Sequence, residues 1–276
     1  MARFTNRSFS VVLHIFQLML FYNFSISGAV LTYDGCMSDS ANSYKVGGWC
    51  FLFYTDPSWP PNTPTQNDAQ YTCLPHGTLA VGVTSKMLNT FITRTPPATN
   101  PHAWTALERL NRSTPTNMDG WYWRALMPSG GFATFPTIKA NFPWGTADPD
   151  NSNGNDTAAV LVNNYGYGDA PKAYPKSIYG NKQMAVICQF APIQWKYLPR
   201  GHGRFANSAY QIAQTTVTKL ACIIQCHRSV SCISLAFNPT TNDCQIYAVS
   251  PDDPQFTGSV TTDNSYDWYI RDEMKY

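Results

Sequence analysis

The chain has 276 residues, of which 43% are hydrophobic, 14% aromatic and only 13% charged. Few charges beside many aromatics exclude a disordered chain and a long coiled coil. A formal charge of +2 excludes the basic field that nucleic-acid binding needs. The length suits one large or two modest domains.

At the N-terminus, Arg3 and Arg7 precede an apolar run over residues 11–22, broken only by His14 and Gln17. Small residues Ser27, Gly28 and Ala29 follow. A charged start, a short apolar stretch and a small-residue exit describe a secretory signal peptide over residues 1–29. The competing reading is an uncleaved anchor, but the run falls short of the roughly 20 apolar residues that span a bilayer. Removing Arg3 and Arg7 leaves 17 basic residues against 17 acidic ones, so the mature chain is neutral. No membrane span is expected after cleavage.

A secreted chain meets an oxidising compartment, and its eight cysteines are an even number. They are Cys36, Cys50, Cys73, Cys188, Cys222, Cys226, Cys232 and Cys244. Zinc is the competing use, because Cys222, Cys226, His227 and Cys232 lie close together. A structural zinc site usually shows two matched ligand pairs, and only Cys222-x3-Cys226 is present. Disulfides are therefore expected, although spacing alone leaves 105 connectivities open for eight cysteines. No cysteine falls between Cys73 and Cys188, whereas four crowd into residues 222–244. The first region is large enough for its own core, and the second is a small unit that needs staples. The Pro- and Gly-punctuated residues 191–204 read as the linker between them.

In chain order, the first region begins with the strand-like Trp49-Cys50-Phe51-Leu52-Phe53-Tyr54. Residues 57–64 hold four Pro and read as an exposed loop. Asn67 is expected to cap a helix through Cys73, and Ser85 another through Leu88, Phe91 and Ile92. Strand-like pieces follow at residues 103–107, 120–126, 158–163 and 184–190. Residues 142–176 are mostly Asp, Asn, Gly, Pro and Tyr, which is loop chemistry, and a loop so long is normally functional or disordered.

Several motifs in this region stand in a telling order. Gly48-Trp49-Cys50-Phe51 is followed by Asn67-Asp68-Ala69-Gln70-Tyr71-Thr72-Cys73, then by His76-Gly77-Thr78-Leu79-Ala80-Val81. Trp104-Thr105-Ala106-Leu107, Gly120-Trp121-Tyr122-Trp123 and Met184-Ala185-Val186-Ile187-Cys188 complete the series. Together they resemble a C-type lectin-like domain over residues 33–190. The resemblance implies an α+β fold with two helices, antiparallel strands and a long loop region. It also implies Cys36–Cys50 and Cys73–Cys188 bridges. The family's other common pair is absent, with Ala158 standing where its first cysteine would fall.

In such domains two oxygen-bearing side chains flank a cis proline and bind both calcium and sugar hydroxyls. Asp148-Pro149-Asp150 keeps that acceptor-Pro-acceptor pattern, within Trp144-Gly145-Thr146-Ala147-Asp148-Pro149-Asp150-Asn151. Asp156 falls where a third acidic ligand is expected. Tyr167-Gly168-Asp169 stands where the family has Trp-Asn-Asp, so Gly168 has lost one donor. Asp148, Asp150, Asp156 and Asp169 are thus the calcium and carbohydrate ligands that the resemblance implies. Calcium takes six to eight hard oxygens, which four carboxylates with waters and a carbonyl supply. The plain alternative is an ordinary turn-rich loop with solvated carboxylates. Asn111-Arg112-Ser113 and Asn155-Asp156-Thr157 are N-glycosylation acceptors, and a glycan on Asn155 would sit inside the site and block it.

In the second region a helix is expected from about Thr216, with Leu220, Ile223 and Ile224 as an apolar stripe. Strand-like pieces surround Cys232 to Asn238 and Thr241 to Tyr247. The order Cys-x3-Cys-x5-Cys-x11-Cys, with Phe237 between the last two, resembles a PAN/Apple domain over residues 205–273. The resemblance implies a helix on an antiparallel sheet, bridges Cys222–Cys244 and Cys226–Cys232, and Trp268-Tyr269-Ile270 as the closing strand. Such domains bind proteins or glycans.

Catalytic motifs are not found: the sequence holds no Gly-x-Ser-x-Gly, no His-Glu-x-x-His and no phosphate-cradling loop. His76, His102, His202 and His227 are scattered. Asp148 and Asp150 as a glycosidase pair lack an identifiable cleft. The expectation is a secreted, non-enzymatic recognition protein whose partners are glycans or glycoproteins, bound with calcium. The alternative is a calcium-independent protein-interaction or extracellular-matrix module.

Overall fold

The computed structural model describes residues 31–271 apart from 60–63, 95, 97–101, 139–140, 153, 174–183, 192–195 and 230. The expected signal segment lies outside the described residues. Among those described, the helices are α1 (Tyr33–Ser38), α2 (Gln66–Thr72), α3 (Ser85–Thr93) and α4 (Lys219–Arg228). The N-terminal strands are β1 (Ser43–Val46), β2 (Trp49–Tyr54), β3 (Thr78–Leu79), β4 (His102–Arg109), β5 (Trp121–Leu126), β6 (Phe132–Phe135), β7 (Ala158–Val162), β8 (Gly166–Ala170) and β9 (Ala185–Phe190).

These nine strands form one sheet with the path β1-β2-β9-β4-β5-β6, while β3 pairs with β9, and β7 joins β4 to β8. The strand β4 is buried at every position after His102, and β9 is buried throughout. Continuous burial without alternation marks strands covered on both faces. Two helical glutamines fix α2 against this sheet. Gln66 Nε2 donates to Glu108 Oε1 at 3.0 Å, and Gln70 Nε2 donates to the Arg124 carbonyl at 2.7 Å. The fully buried Glu108 also meets Lys172 Nζ at 2.6 Å and Arg124 Nη1 at 3.4 Å, so its charge is compensated.

Helix caps differ from expectation by one or two residues. The cap of α2 is Thr65, not Asn67, because Thr65 and Asp68 form a reciprocal capping box. The cap of α3 is Thr84, whose Oγ1 accepts from Met87 N at 3.1 Å. The loop reading of residues 142–176 is also corrected in part, since β8 lies within it and pairs with β7 from Gly166↔Val162 to Ala170↔Ala158.

A second sheet carries β10 (Tyr197–His202), β12 (Gln211–Thr216), β13 (Ser234–Asn238), β14 (Asp243–Tyr247) and β16 (Asp267–Arg271) in the order β10-β16-β13-β14-β12. The short strands β11 (Arg204–Phe205) and β15 (Val260–Thr261) pair separately. Residues 197–202 therefore belong to a sheet, although they read as linker in the sequence. Their Pro199 and Gly201 are tolerated because β10 is an edge strand whose register shifts between those two residues.

The helix α4 starts at Lys219 rather than Thr216. Thr216 is the last residue of β12, paired with Asp243, and Thr218 is the N-cap. The expected apolar stripe faces inward only at Ile223, which packs against the cysteine cluster, while Leu220 is 67% exposed and Ile224 40%. The helix instead turns Cys222 and Cys226 to the sheet, four residues apart on one face. Arg271 from β16 donates through Nη2 to the carbonyls of Cys226 and Ser229 at the helix C-terminus.

The disulfides are Cys36–Cys50, Cys73–Cys188, Cys222–Cys244 and Cys226–Cys232. Cys73–Cys188 spans 115 residues of sequence, a closure that stabilises by about 4–5 kcal/mol in the chain-entropy account.

Candidate functional site

Three segments converge beside the β7–β8 hairpin. Residues 143–145 run along β8: Tyr167 N donates to the Pro143 carbonyl at 2.9 Å, and Gly145 N donates to the Tyr167 carbonyl at 2.7 Å. The chain then turns, with Asp148 N donating to the Gly145 carbonyl at 3.1 Å, and the Asp148–Pro149 peptide bond is cis. These contacts set Asp148 and Asp150 against Asp169 of β8. Carboxylate oxygens of the three lie within 4.8 Å of one another. Asp169 is buried, Asp148 half-buried and Asp150 exposed, so the cluster opens to solvent on the Asp150 side.

Backbone donors hold the carboxylates in place. Asp169 accepts from Asp150 N at 3.2 Å and Asn151 N at 2.8 Å, and Asp148 Oδ1 accepts from Asp169 N at 3.2 Å. Burial, together with a hydrogen bond to the Asp148 carboxylate, pushes the Asp169 carboxyl up to about 7 against the lowering effect of its backbone donors. Close carboxylates disfavour joint ionisation.

Asp156 stands apart from the other three sequence candidates. It is buried, its backbone N donates to Asn151 Oδ1 at 3.1 Å, and it lies outside the converged cluster. Both glycosylation acceptors, Asn111 and Asn155, are exposed. Arg112 Nη1 donates to Asn155 Oδ1 at 3.0 Å.

Three residues that the sequence did not single out support the cluster. Asn117 Nδ2 donates to the Asp150 carbonyl at 2.8 Å. Arg109, nearly buried, donates to Asn117 Oδ1 at 3.1 Å and to the Thr116 carbonyl at 2.8 Å, so it shapes the loop that presents Asn117. Tyr165 hydrogen-bonds the Asp148 carboxylate, which raises its hydroxyl pKa, and accepts from Ala147 N at 3.3 Å. Asn117 and Asp150 are 33 residues apart, and no local sequence signal links them.

The family model described as PAN domain matches residues 200–271. The C-terminal region is a PAN domain. Its match begins inside β10 and ends at the last residue of β16, so it takes in the whole five-stranded sheet but for the first three residues of β10. The PAN domain also touches α3, through Asp253.

No curated protein matches the chain. Solved structures similar to it include the C-type lectin CEL-I from Cucumaria echinata, at 14% identity and a TM-score of 0.33, covering 56% of this chain and 98% of that one. Human lithostathine is similar at 17% identity and a TM-score of 0.35, covering 57% and 94%. The carbohydrate-recognition domain of the mouse scavenger receptor C-type lectin is similar at 13% identity and a TM-score of 0.34, covering 54% and 95%. Among the described residues, no helix is long and apolar enough to cross a membrane.

Proposed function

We propose that the chain is a secreted recognition protein that binds carbohydrate with the help of calcium at Asp148, Asp150 and Asp169, the three of the four candidate aspartates that converge. The observation that carries this reading is the convergence of three carboxylates at an opening of the surface. The donor set is wholly hard oxygen, which suits calcium and not a soft metal. Burial, with the neighbouring Asp148 carboxylate, raises the Asp169 carboxyl to about 7, and a divalent cation would relieve that penalty on its ionised form. Bound there, calcium would offer open coordination positions to a pair of sugar hydroxyls. The chain's own part is to fix the oxygens: Asn117 holds the Asp150 backbone, and the Asp150 and Asn151 amides orient Asp169. Four disulfides suit an extracellular setting. The PAN domain would supply a second recognition surface for proteins or glycans.

A second reading has its own support. Backbone amides of the chain itself bond Asp148 and Asp169 and so help to fix the loop, as a calcium-independent protein-interaction module would require. One titration separates the two. Millimolar calcium is expected to raise the melting temperature, and Asp148→Ala with Asp150→Ala to abolish the rise. An unchanged melting temperature in the parent protein contradicts the calcium reading. Peptide mass mapping reports Asn155: full glycan occupancy there contradicts sugar binding at this site.

A further inference from the structure

Beside the acidic cluster lies a groove of about 430 Å³, within the size range of small-molecule sites. The end of α3 gives one wall through Ile92. Pro143 and Trp144 give another, and the β7–β8 turn adds Asn164 and Tyr165. Among the described residues, no charged one lines it. Ile92 is 46% exposed and Tyr165 42%, so apolar surface is left open to solvent.

The walls are built rather than incidental. Gly166 has φ +113°, and a Cβ there would stand 2.7 Å from the Pro143 carbonyl oxygen. A Cβ on Gly145 would stand 1.8 Å from Cε1 of Tyr165, so only glycine lets that ring pack where it does. Asn164, at φ 59°, turns the hairpin in a conformation that asparagine tolerates. Tyr165 then serves two places at once: its ring lines the groove, and its hydroxyl bonds Asp148.

An uncharged groove with aromatic and aliphatic walls and a carboxamide at the rim suits a neutral ligand with one apolar face and hydroxyls at its edge. A pyranose ring is such a ligand, because its C–H face packs on aromatic rings while its hydroxyls bond amides. Continuity through Tyr165 gives the ring a place in a longer ligand. We propose that the groove is a subsite for a further sugar residue of an oligosaccharide whose terminal residue is held at the carboxylates. This rests on the carbohydrate reading above and narrows its ligand from a monosaccharide to an oligosaccharide.

The test uses the full secreted chain in millimolar calcium, on an array that displays common monosaccharides beside linear trisaccharides ending in each. The trisaccharide is expected to bind about tenfold tighter than its matching monosaccharide. Ile92→Arg puts a long charged side chain at the groove from an exposed helix position. It is expected to erase that advantage while leaving monosaccharide affinity and the calcium-induced melting shift intact. Asn164→Gly keeps the turn conformation, removes the carboxamide, and is expected to reduce the advantage. Equal affinity for both ligand lengths in the parent protein overturns the groove and leaves the calcium–sugar reading standing. An advantage that survives both substitutions does the same. Absence of any calcium-dependent glycan binding overturns both.

Discussion

A Cβ placed on Gly168 would stand 3.5 Å from Asp148 Oδ2, which is ordinary contact distance. Position 168 therefore has room for a side chain facing the carboxylates. Gly168→Asn is expected to add an oxygen donor and tighten calcium binding by roughly five- to tenfold, measured by calorimetric titration. An unchanged affinity would place position 168 outside the site. Asp169 gives a pH prediction. Its folded pKa of about 7 lies above the ordinary carboxylate value of about 4, so the folded chain binds the extra proton between those limits. Its contribution to stability is full below pH of about 4 and is lost as pH rises through about 7. In chelator, the parent protein should lose stability relative to Asp169→Asn across that window, and parallel melting profiles would contradict this. Part of the site was legible at this scale. Asp148, Asp150 and Asp169 stand out because they flank Pro149 or follow Tyr167-Gly168, both local patterns. Arg109 and Asn117 do not, because they reach Asp150 only through tertiary folding of the loop that follows β4.

Elements show the same division between local and tertiary signals. The N-terminus of α3 is completed from the PAN domain, where the fully buried Asp253 accepts from Ser85 N at 3.1 Å and Ser85 Oγ at 2.9 Å. Thr84 caps the helix locally, which frees Ser85 for this contact. Asp253→Ala is expected to cost about 1–2 kcal/mol in chemical denaturation, since it removes a helix-end acceptor and strands a hydroxyl. No loss would mean that the contact is energetically idle. Strands β2, β4, β5, β7 and β9 were readable because aromatic and β-branched runs bounded by turns are a local signal. The strand β8 was not, since Gly166-Tyr167-Gly168-Asp169-Ala170 has turn-like composition and is extended only by pairing with β7 on one side and the 143–145 segment on the other. The stripe on α4 held at Ile223 but misled at Leu220 and Ile224 for a related reason. Its inward face is decided by two disulfides, which outweigh the apolar spacing of Leu220 and Ile224.

Across the whole molecule, one apolar cluster runs from the first sheet into the PAN domain. It joins Val83, Met87 and Trp104 to Val249, Phe256 and Trp268. The aromatic richness of the composition is spent largely on this core and on the ring packing of Trp121, Trp123, Phe142, Trp144 and Tyr167 under the acidic loop. This ring packing lies next to the segment that carries the carboxylates and lines the groove, so the proposed site sets a few polar groups on a large apolar base. The most direct measurement is a glycan array probed with the full chain in calcium and again in chelator, beside the Asp148→Ala, Asp150→Ala variant. Glycan binding that appears in calcium and vanishes in chelator and in the variant is the predicted result. Binding that is indifferent to calcium and to both substitutions, or no glycan binding at all, would contradict it.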